Sequence, residues 1–219
     1  MSDIERDLIE KYLEKSIDKL EDIKNFSSEE KYDVILKLLE DNIELNKLAL
    51  KDSLTNLYNR RVFKNVFRDN ISRANRGTPF TLLYMDLDNF KKVNDTYGHQ
   101  KGDQVLKEIG ISLNEITRNY DKAFRIGGDE FAVQLEDTFD ITGELAERIY
   151  DQIKDEGLKK INVKGSEVDI SIGSVCYRGK SSLDITEVSE NILSLAEKLM
   201  YSAKKNDIKI LITEYHDKL

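Results

Sequence analysis

The stretch Phe124-Arg125-Ile126-Gly127-Gly128-Asp129-Glu130-Phe131 decides the fold, because two short apolar segments flank a pair of glycines. Residues 122–126 and 131–135 are aromatic and β-branched, and a glycine pair between such segments predicts a β-hairpin. Asp129 and Glu130 then stand at its tip. Gly127 and Gly128 lack Cβ atoms, so a base or a phosphate could approach the backbone closely. These residues are also ordinary in a solvated turn, and the stretch alone leaves both interpretations open.

The composition indicates a globular protein with a charged surface. The chain has 219 residues, of which 39% are hydrophobic and 35% charged, and its net charge is −8. That charge argues against binding of long nucleic acid through a general basic surface, but it is compatible with a small nucleotide brought with magnesium. The single Cys176 excludes an internal disulfide and is predicted to be buried, which fits a reducing compartment.

The chain is predicted to be cytoplasmic, with no membrane partner. No apolar stretch approaches the roughly 20 residues that a membrane-spanning helix needs. The N-terminus, Met1-Ser2-Asp3-Ile4-Glu5, is acidic where a signal peptide would be basic.

Residues 1–50 are predicted to form an N-terminal helical hairpin, as one domain beside a second domain at residues 51–219. Apolar residues recur at helical spacing over residues 3–24 and again over residues 34–50. Between them, Ser27 and Glu30 have the spacing of a capping box. The hairpin could clamp two chains into a dimer or pack on its own second domain, and both remain open because the apolar stripe is not a sustained heptad repeat.

From residue 51 onward, strand and helix patterns alternate. Residues 80–85 are continuously apolar, as in a central strand buried on both faces, and Asp86-Leu87-Asp88 follows them. Residues 168–177 are predicted to form a strand that a turn at 164–166 joins to a partner at 161–163. The other predicted elements are helices at 62–71, 90–95, 104–116, 138–154 and 184–205 and a last strand at 208–212. This order predicts an α/β fold, of the α+β kind, with a mixed, mostly antiparallel sheet flanked by helices.

Carboxylates from separate segments are expected to meet at one sheet edge. If the strand that ends at Asp86 pairs with the hairpin that carries Asp129, both side chains lie at that edge. Mg²⁺ prefers such hard oxygen ligands, with water and substrate phosphates filling the other positions. Enzymes of phosphoryl transfer use such ions to neutralise developing charge. The pattern therefore outlines a magnesium site, although the spacing alone does not establish one.

Three separated motifs resemble those of the GGDEF domains of diguanylate cyclases, over roughly residues 52–213. Besides Gly127-Gly128-Asp129-Glu130-Phe131, the residues Asp52-Ser53-Leu54-Thr55-Asn56-Leu57-Tyr58-Asn59-Arg60-Arg61 resemble the family's D-x-L-T-x-L-x-N-R-R. The stretch from Asp86 to His99 is similar to the family's metal-binding strand and the helix after it. The resemblance implies a palm-like fold, shared with polymerases and class III adenylyl cyclases. It also implies an enzyme of second-messenger signalling that joins two GTP molecules into cyclic di-GMP.

The resemblance also implies roles for individual residues. Asp86 and Asp129 would hold Mg²⁺ or Mn²⁺, completed by the backbone carbonyl of Leu87 and by Glu130, and Asp129 would help to deprotonate the 3′-hydroxyl. The implied substrate-binding residues are Gly127 and Gly128 at the turn, Asn94 and Asp103 for guanine, and Asn89, Phe90 and Lys204 for the phosphates. Without the resemblance, Asn94 and Asp103 could be helix-boundary residues and Lys204 one of many exposed lysines.

One segment departs from the family pattern. The family's helix end usually reads A-K-x-x-G-R-N, whereas the stretch Ala203-Lys204-Lys205-Asn206-Asp207-Ile208-Lys209 lacks the glycine and has Ile208 in the arginine's place. Lys205 or Lys209 could substitute, but a lysine does not reproduce the forked guanidinium of an arginine. Substrate affinity is therefore the least secure part of the expectation.

Regulation and assembly follow from the same resemblance. Arg118-Asn119-Tyr120-Asp121 matches the family's R-x-x-D inhibitory site in sequence and offset, so the product cyclic di-GMP is expected to bind at Arg118 and Asp121. On the four residues alone, a surface ion pair would be the better explanation, and the offset from Gly127 reverses that judgement. Activity is expected to require a homodimer.

A catalytically silent module that senses GTP or cyclic di-GMP is the alternative function. The intact Asp86, Asp129 and Glu130 disfavour this alternative. A purely structural dimerisation protein would leave the carboxylates unexplained.

Overall fold

The computed structural model describes residues 49–136, 142–161 and 168–216, together with residues 27, 33–38 and 41. The chain divides into two compact units, residues 1–49 and residues 50–219. In the first unit, residues 33–38 are helical, with Ile35 and Leu36 exposed. Most of the predicted N-terminal hairpin lies outside the described residues.

The second unit alternates helices and strands along the chain. Its helices are α1 (Arg60–Ala74), α2 (Phe90–Tyr97), α3 (His99–Ile116), α4 (Thr142–Asp151), a π-helix (Gln152–Leu158), the single turn α5 (Lys159–Ile161) and α6 (Ile185–Lys205). Its strands are β1 (Phe80–Asp88), β2 (Lys122–Gly127), β3 (Glu130–Glu136), β4 (Asp169–Tyr177) and β5 (Ile210–Glu214).

The strands form one five-stranded sheet in the order β2-β3-β1-β4-β5. All neighbours are antiparallel except β4 and β5, which are parallel. The central β1 is buried on both faces: Phe80, Leu82 and Tyr84 pack with α1 and α6, whereas Leu83 and Met85 pack with α3 and α4. The predicted α/β fold with a mostly antiparallel sheet is therefore confirmed.

Some element boundaries differ from the sequence-based expectation. Ile161 was expected in a strand but is helical and packs in the core with α3 and α4. Residues 162–167, which hold the rest of that predicted strand and turn, lie outside the described residues. The last strand begins at Ile210 rather than at 208, because its parallel pairing with β4 runs from Ile172↔Ile210 to Cys176↔Glu214. Cys176 is a buried free thiol, as expected.

Helix α6 rests directly on the backbone of β4 at Gly173. A Cβ atom at this position would lie 2.1 Å from the carbonyl oxygen of Ala196 and 2.4 Å from the amide nitrogen of Met200. Both neighbours are backbone atoms, which cannot move aside as a flexible side chain can. Only a glycine here lets α6 lie this close to the sheet, and the helix carries Lys204 one turn after Met200.

We expect Gly173→Ala to destabilise the protein by about 1–3 kcal/mol, because the added methyl group overpacks the contact between helix and sheet. The midpoint of urea unfolding measures this. Gly143→Ala is the matched control, since a Cβ there would meet only Ile212 Cδ1, at 3.9 Å, and alanine favours the helix. The control should keep or raise the midpoint. An unchanged midpoint for Gly173→Ala would contradict the close packing described.

Candidate active site

The end of β1 brings together side chains from three strands. Asp86 pairs with Glu130 of β3 on one side and with Ser171 of β4 on the other. Directly paired residues of neighbouring strands point to the same face of a sheet, so all three lie on the face that α1 and α6 cover. The amide of Leu87 donates to the carbonyl oxygen of Asp129 over 3.3 Å, which ties the hairpin tip to β1. The predicted metal ligands Asp86, Leu87, Asp129 and Glu130 therefore meet at one edge.

The hairpin turn is open on its outer side. Gly127 pairs with Glu130, and the register of the two strands shifts between Arg125 and Gly127. Gly128 has a φ of +54°, a left-handed conformation that glycine adopts without strain. No described atom lies within 4 Å of where a Cβ would stand at Gly127 or Gly128. The turn thus leaves room for a ligand against its backbone.

Arg125 holds this turn from inside. Its Nη2 and Nε donate to the carbonyl oxygen of Gly128 over 2.8 and 3.1 Å, and its Nη1 donates to Asp52 Oδ1 over 3.0 Å. Asp52 Oδ1 also accepts from the amide and hydroxyl of Thr55, over 2.9 and 2.8 Å. The segment at residues 52–61 was recognised in the sequence only as a family-like motif. In the structure, it fixes the position of the glycine turn.

The pKa of Asp52 lies below its usual value. Burial by itself would raise that pKa, but the hydrogen bonds from Thr55 and Arg125 and the charge of Arg125 together outweigh burial. Asp52 is therefore a charged anchor. Sequence reasoning missed its role because the partner Arg125 is distant along the chain.

Lys204 of α6 reaches into the carboxylate cluster. Its Nζ donates to Asp86 Oδ2, and it lies 3.3 Å from both the carbonyl oxygen of Leu87 and Asp88 Oδ1. Asp88 Oδ2 accepts from the hydroxyl of Ser171 over 2.7 Å. Lys204 was expected at a phosphate and is found among these carboxylates. Asp88 and Ser171 were not predicted as site residues, although the alternation Asp86-Leu87-Asp88 puts Asp88 on the same face as Asp86.

The cluster has more negative than positive charge. Burial raises the pKa of Asp86, and the charges of Asp129 and Asp88 raise it further, against the opposing effect of Lys204. Burial lowers the pKa of Lys204, but its bonds to Asp86 and Asp88 outweigh burial and raise that pKa overall. An added cation would therefore be stabilised here.

The residues fit a magnesium ion that the substrate helps to bind. Among the residues that the structure describes, no group of three or more His, Cys, Asp or Glu side chains could hold a metal by itself. Mg²⁺ commonly takes only one or two protein carboxylates and completes its shell with carbonyl, water and phosphate oxygens. Asp86 Oδ2 and the Leu87 carbonyl oxygen already converge on the cationic Nζ of Lys204, so the donor set suits such an ion.

Glu130 lies beside a buried tyrosine on the same face. Burial raises the pKa of Tyr84, and the charge of Glu130 and its hydrogen bond to the phenol raise it further. Tyr84 therefore stays protonated and can donate to Glu130. The phenol therefore lies beside a carboxylate to which the family resemblance gives a metal-binding and catalytic role.

The predicted guanine and phosphate contacts lie on α2 and α3. Asn89 has a φ of +60° and turns the chain from β1 into α2, so Phe90 begins a helix directly after the carboxylates. Asn94 packs over Gly102, where a Cβ would lie only 1.9 Å from Asn94 Oδ1. Asp103 follows Gly102 on α3 and is exposed. The close crossing at Gly102 thus places Asn94 beside the segment that carries Asp103.

Arg118 and Asp121 differ in their surroundings. Asp121 is only 7% exposed, and its two oxygens accept from the amides of Glu136 and Arg118 over 3.2 and 3.3 Å. Arg118 is exposed, and its Nη1 donates to the hydroxyl of Tyr120 over 2.8 Å. Asp121 thus shapes the loop, and the guanidinium of Arg118 is the more accessible group. Both residues precede β2, and Asp121 is about 20 Å from Gly127 along that strand.

The family model described as "Diguanylate cyclase, GGDEF domain" matches residues 49–209. The chain belongs to the GGDEF domain family. Two of the motifs that carry the resemblance, at residues 86–99 and 127–131, are the ones that the fold brings to the end of β1.

Individual relatives agree with this family. The chain is 41% identical over 158 residues to the Bacillus subtilis protein YhcK, covering 70% of this chain and 42% of YhcK. It is 34% identical over 173 residues to the diguanylate cyclase DosC of Escherichia coli, covering 78% of this chain and 36% of DosC. The chain thus spans less than half the length of these two relatives.

A solved structure of this family has the same fold. The GGDEF domain of DgcB from Caulobacter crescentus, crystallised in complex with c-di-GMP, is 27% identical, with a TM-score of 0.63. The likeness covers 76% of this chain and 95% of that domain. Separately, none of the helices that the described residues form has the length and apolarity to cross a bilayer.

We expect Asp52→Asn to lower the free energy of unfolding at pH 7 by about 1–2 kcal/mol, since it removes the charge that Arg125 and Thr55 bind at a partly solvated position. The folded pKa of Asp52 is below its unfolded value near 3.8. The stabilisation is therefore present above that value and is lost as the pH falls through the folded pKa. Chemical unfolding at several pH values measures it.

The difference between wild type and Asp52→Asn should accordingly shrink on acidification. Asp95→Asn, which removes one exposed carboxylate from α2, is the control and should leave stability near wild type. A difference that stays constant from pH 7 to pH 3 would show that the charge of Asp52 is not the source of its contribution.

Proposed function

We propose that this GGDEF domain is a diguanylate cyclase that condenses two GTP molecules into cyclic di-GMP and two pyrophosphates. In each half of the reaction, a 3′-hydroxyl attacks an α-phosphate, a new phosphodiester bond forms, and pyrophosphate leaves. The observation that carries the proposal is the meeting of Asp86, the Leu87 carbonyl and Asp129 at the end of β1, beside a glycine turn with open space above it.

The carboxylate cluster has the properties that nucleotidyl transfer requires. Asp86, Asp129, Glu130 and the Leu87 carbonyl would hold Mg²⁺ or Mn²⁺, which would neutralise charge on the phosphates. Asp129 lies at the tip of the turn and would help to take the proton of the 3′-hydroxyl. Lys204 already sits among these oxygens and would turn its ammonium group toward the phosphates.

Guanine and the phosphates would bind along α2 and α3. Asp103 is exposed and can accept from the N1 and N2 groups of guanine, for which adenine has no equivalent donor pair. Asn94 would read the same base from its place over Gly102. The backbone at Asn89 and Phe90 begins a helix, and the amides of a helix start favour anions such as phosphate. Gly127 and Gly128 would lie against the nucleotide.

Assembly and regulation complete the proposal. Two GTP sites must face each other for two nucleotides to be joined, so the active form would be a homodimer in the cytoplasm, and residues 1–50 are the candidate clamp. Cyclic di-GMP would bind at Arg118, with Asp121 fixing the loop beneath it.

A catalytically silent sensor module is the alternative function. The intact carboxylate cluster disfavours this alternative, since a silent module has no need of Asp86 and Asp129 held together beside an open glycine turn.

We expect the protein to convert GTP with Mg²⁺ to cyclic di-GMP and to use ATP far less, because adenine would leave the carboxylate of Asp103 unpaired. The bound base would cover this carboxylate, and an acceptor left unpaired beneath a ligand costs roughly 1–3 kcal/mol, or about 5- to 150-fold in turnover. Chromatography of the products measures both reactions. Comparable rates with ATP would contradict the assignment of Asp103.

Asp129→Asn is the matched variant for the metal site. It removes one charge and almost no volume, so the fold should persist, as circular dichroism would report, while product formation is lost. Near-normal turnover in this variant would refute the proposed catalytic role. Binding of GTP and cyclic di-GMP by a wild-type protein that forms no product would instead favour the sensor alternative.

We expect Arg118→Ala to raise the amount of cyclic di-GMP at which synthesis stops, with little effect on the initial rate. Arg118 is exposed and offers a planar set of donors suited to a guanine edge or a phosphate. Full time courses measure the plateau and the initial rate. Arg76→Ala removes another exposed arginine outside this loop and serves as the control. If the wild type does not slow as product accumulates, the inhibitory site does not operate in this chain.

A further inference from the structure

A cleft of about 470 Å³ opens beside the carboxylate cluster, and its lining includes three lysines and three aspartates, Asp88, Asp169 and Asp207. Lys204 and Asn89 line the side toward β1 and α2, and Lys154 and Lys209 come from two other segments. Ile208, which stands where the family pattern has arginine, lines the same cleft without a charge and is 43% exposed. Lys205 is not part of the lining. Of these lysines, Lys154 and Lys209 have no role so far in the proposed function.

Lys154 reaches the cleft from the π-helix. Its Nζ lies 2.7 Å from Asp169 Oδ2 and donates to the carbonyl oxygen of Val168 over 3.2 Å. A π-helix changes the direction of the side chains after it, and such segments are frequent at functional sites. The pair with Asp169 is more than one-third exposed on both sides. Surface ion pairs contribute little to stability, so this ammonium group can turn to a stronger anion at small cost.

Lys209 is fixed on the same side. Its carbonyl oxygen accepts from the amide of Ile172 over 3.0 Å, which ties it to the end of β4. Its Nζ lies 4.6 Å from the ring centroid of Tyr150, and the hydroxyl of Tyr150 donates to Asp169 Oδ1 over 2.8 Å. Tyr150 therefore positions Lys209 through its ring and Lys154 through Asp169.

We propose that Lys154 and Lys209, linked through Tyr150 and Asp169, bind the terminal phosphates of the nucleotide together with Lys204, in the place where the family pattern has arginine. The inference rests on the proposed function, which puts a nucleotide triphosphate at the end of β1. The cleft adjoins that end, and its lysines come from three different segments, so they can contact a polyphosphate from several directions. A polyphosphate carries several negative charges, so it attracts the ammonium group of Lys154 more strongly than the single carboxylate of Asp169 does.

The test measures equilibrium binding in the presence of Mg²⁺ with three probes: inorganic tripolyphosphate, 3′-deoxy-GTP and GMP. The analogue 3′-deoxy-GTP lacks the attacking hydroxyl, so no turnover interferes. Lys154→Gln and Lys209→Gln should each weaken binding of tripolyphosphate and of the analogue by about tenfold, because each removes a charged donor to phosphate. GMP has no terminal phosphates, so its affinity should not change.

Two controls sharpen the result. Lys205→Gln removes a neighbouring exposed lysine outside the cleft and should bind all three probes like wild type, and Lys154→Arg should retain most of the affinity. Unchanged binding of tripolyphosphate in both glutamine variants, or an equal loss for GMP, would overturn the proposal. A wild type that binds tripolyphosphate through these lysines but not 3′-deoxy-GTP would support the lysine site and contradict the proposed function. Binding of neither probe would overturn both.

Discussion

A group of carboxylates held together at the end of β1 is the constraint on which the site depends. Burial is the largest effect that raises the pKa of Asp86, repulsion from Asp129 and Asp88 raises it further, and Lys204 lies among them as a compensating cation. The cluster persists because strong secondary structure holds each member in place. β1 is paired on both sides and buried on both faces, so its last residues cannot move apart to relieve the repulsion.

Glycines set the distances at which the surrounding elements approach this cluster. Gly173 lets α6 rest on β4 and so determines where Lys204 begins its reach toward Asp86. Gly102 lets Asn94 lie across α3, and Gly110 lets the 52–61 segment approach α3, since a Cβ at Gly110 would lie 2.6 Å from the carbonyl oxygen of Thr55. That segment in turn carries Asp52, which holds Arg125 and the hairpin turn. Each glycine allows a close backbone contact, and that contact sets the position of a site side chain or a turn several residues away.

Periodicity and turn residues were sufficient to predict most of the fold. The continuous apolar run at residues 80–85 correctly indicated a strand buried on both faces, and the glycine pair correctly indicated the hairpin. Pairing partners far apart along the chain were harder to predict. Ile161 follows a helix into the core instead of forming a strand, and nothing local marks that choice. The bond from Arg125 to Asp52 and the path of Lys154 into the cleft also depend on tertiary contacts, which a linear pattern does not contain.

Lys204 connects the metal site with the phosphate cleft. In this structure its ammonium group contacts the carboxylate of Asp86 and lines the cleft that holds Lys154 and Lys209. Asp86 would need no lysine once a divalent cation neutralised it, so the same side chain would become available to phosphate. In the proposed function, a bound metal frees Lys204 for the phosphate, and a bound phosphate draws Lys204 away and leaves Asp86 for the metal. Metal binding and phosphate binding therefore favour each other. With this coupling, one lysine would contact the carboxylates in the absence of metal and the phosphate in its presence.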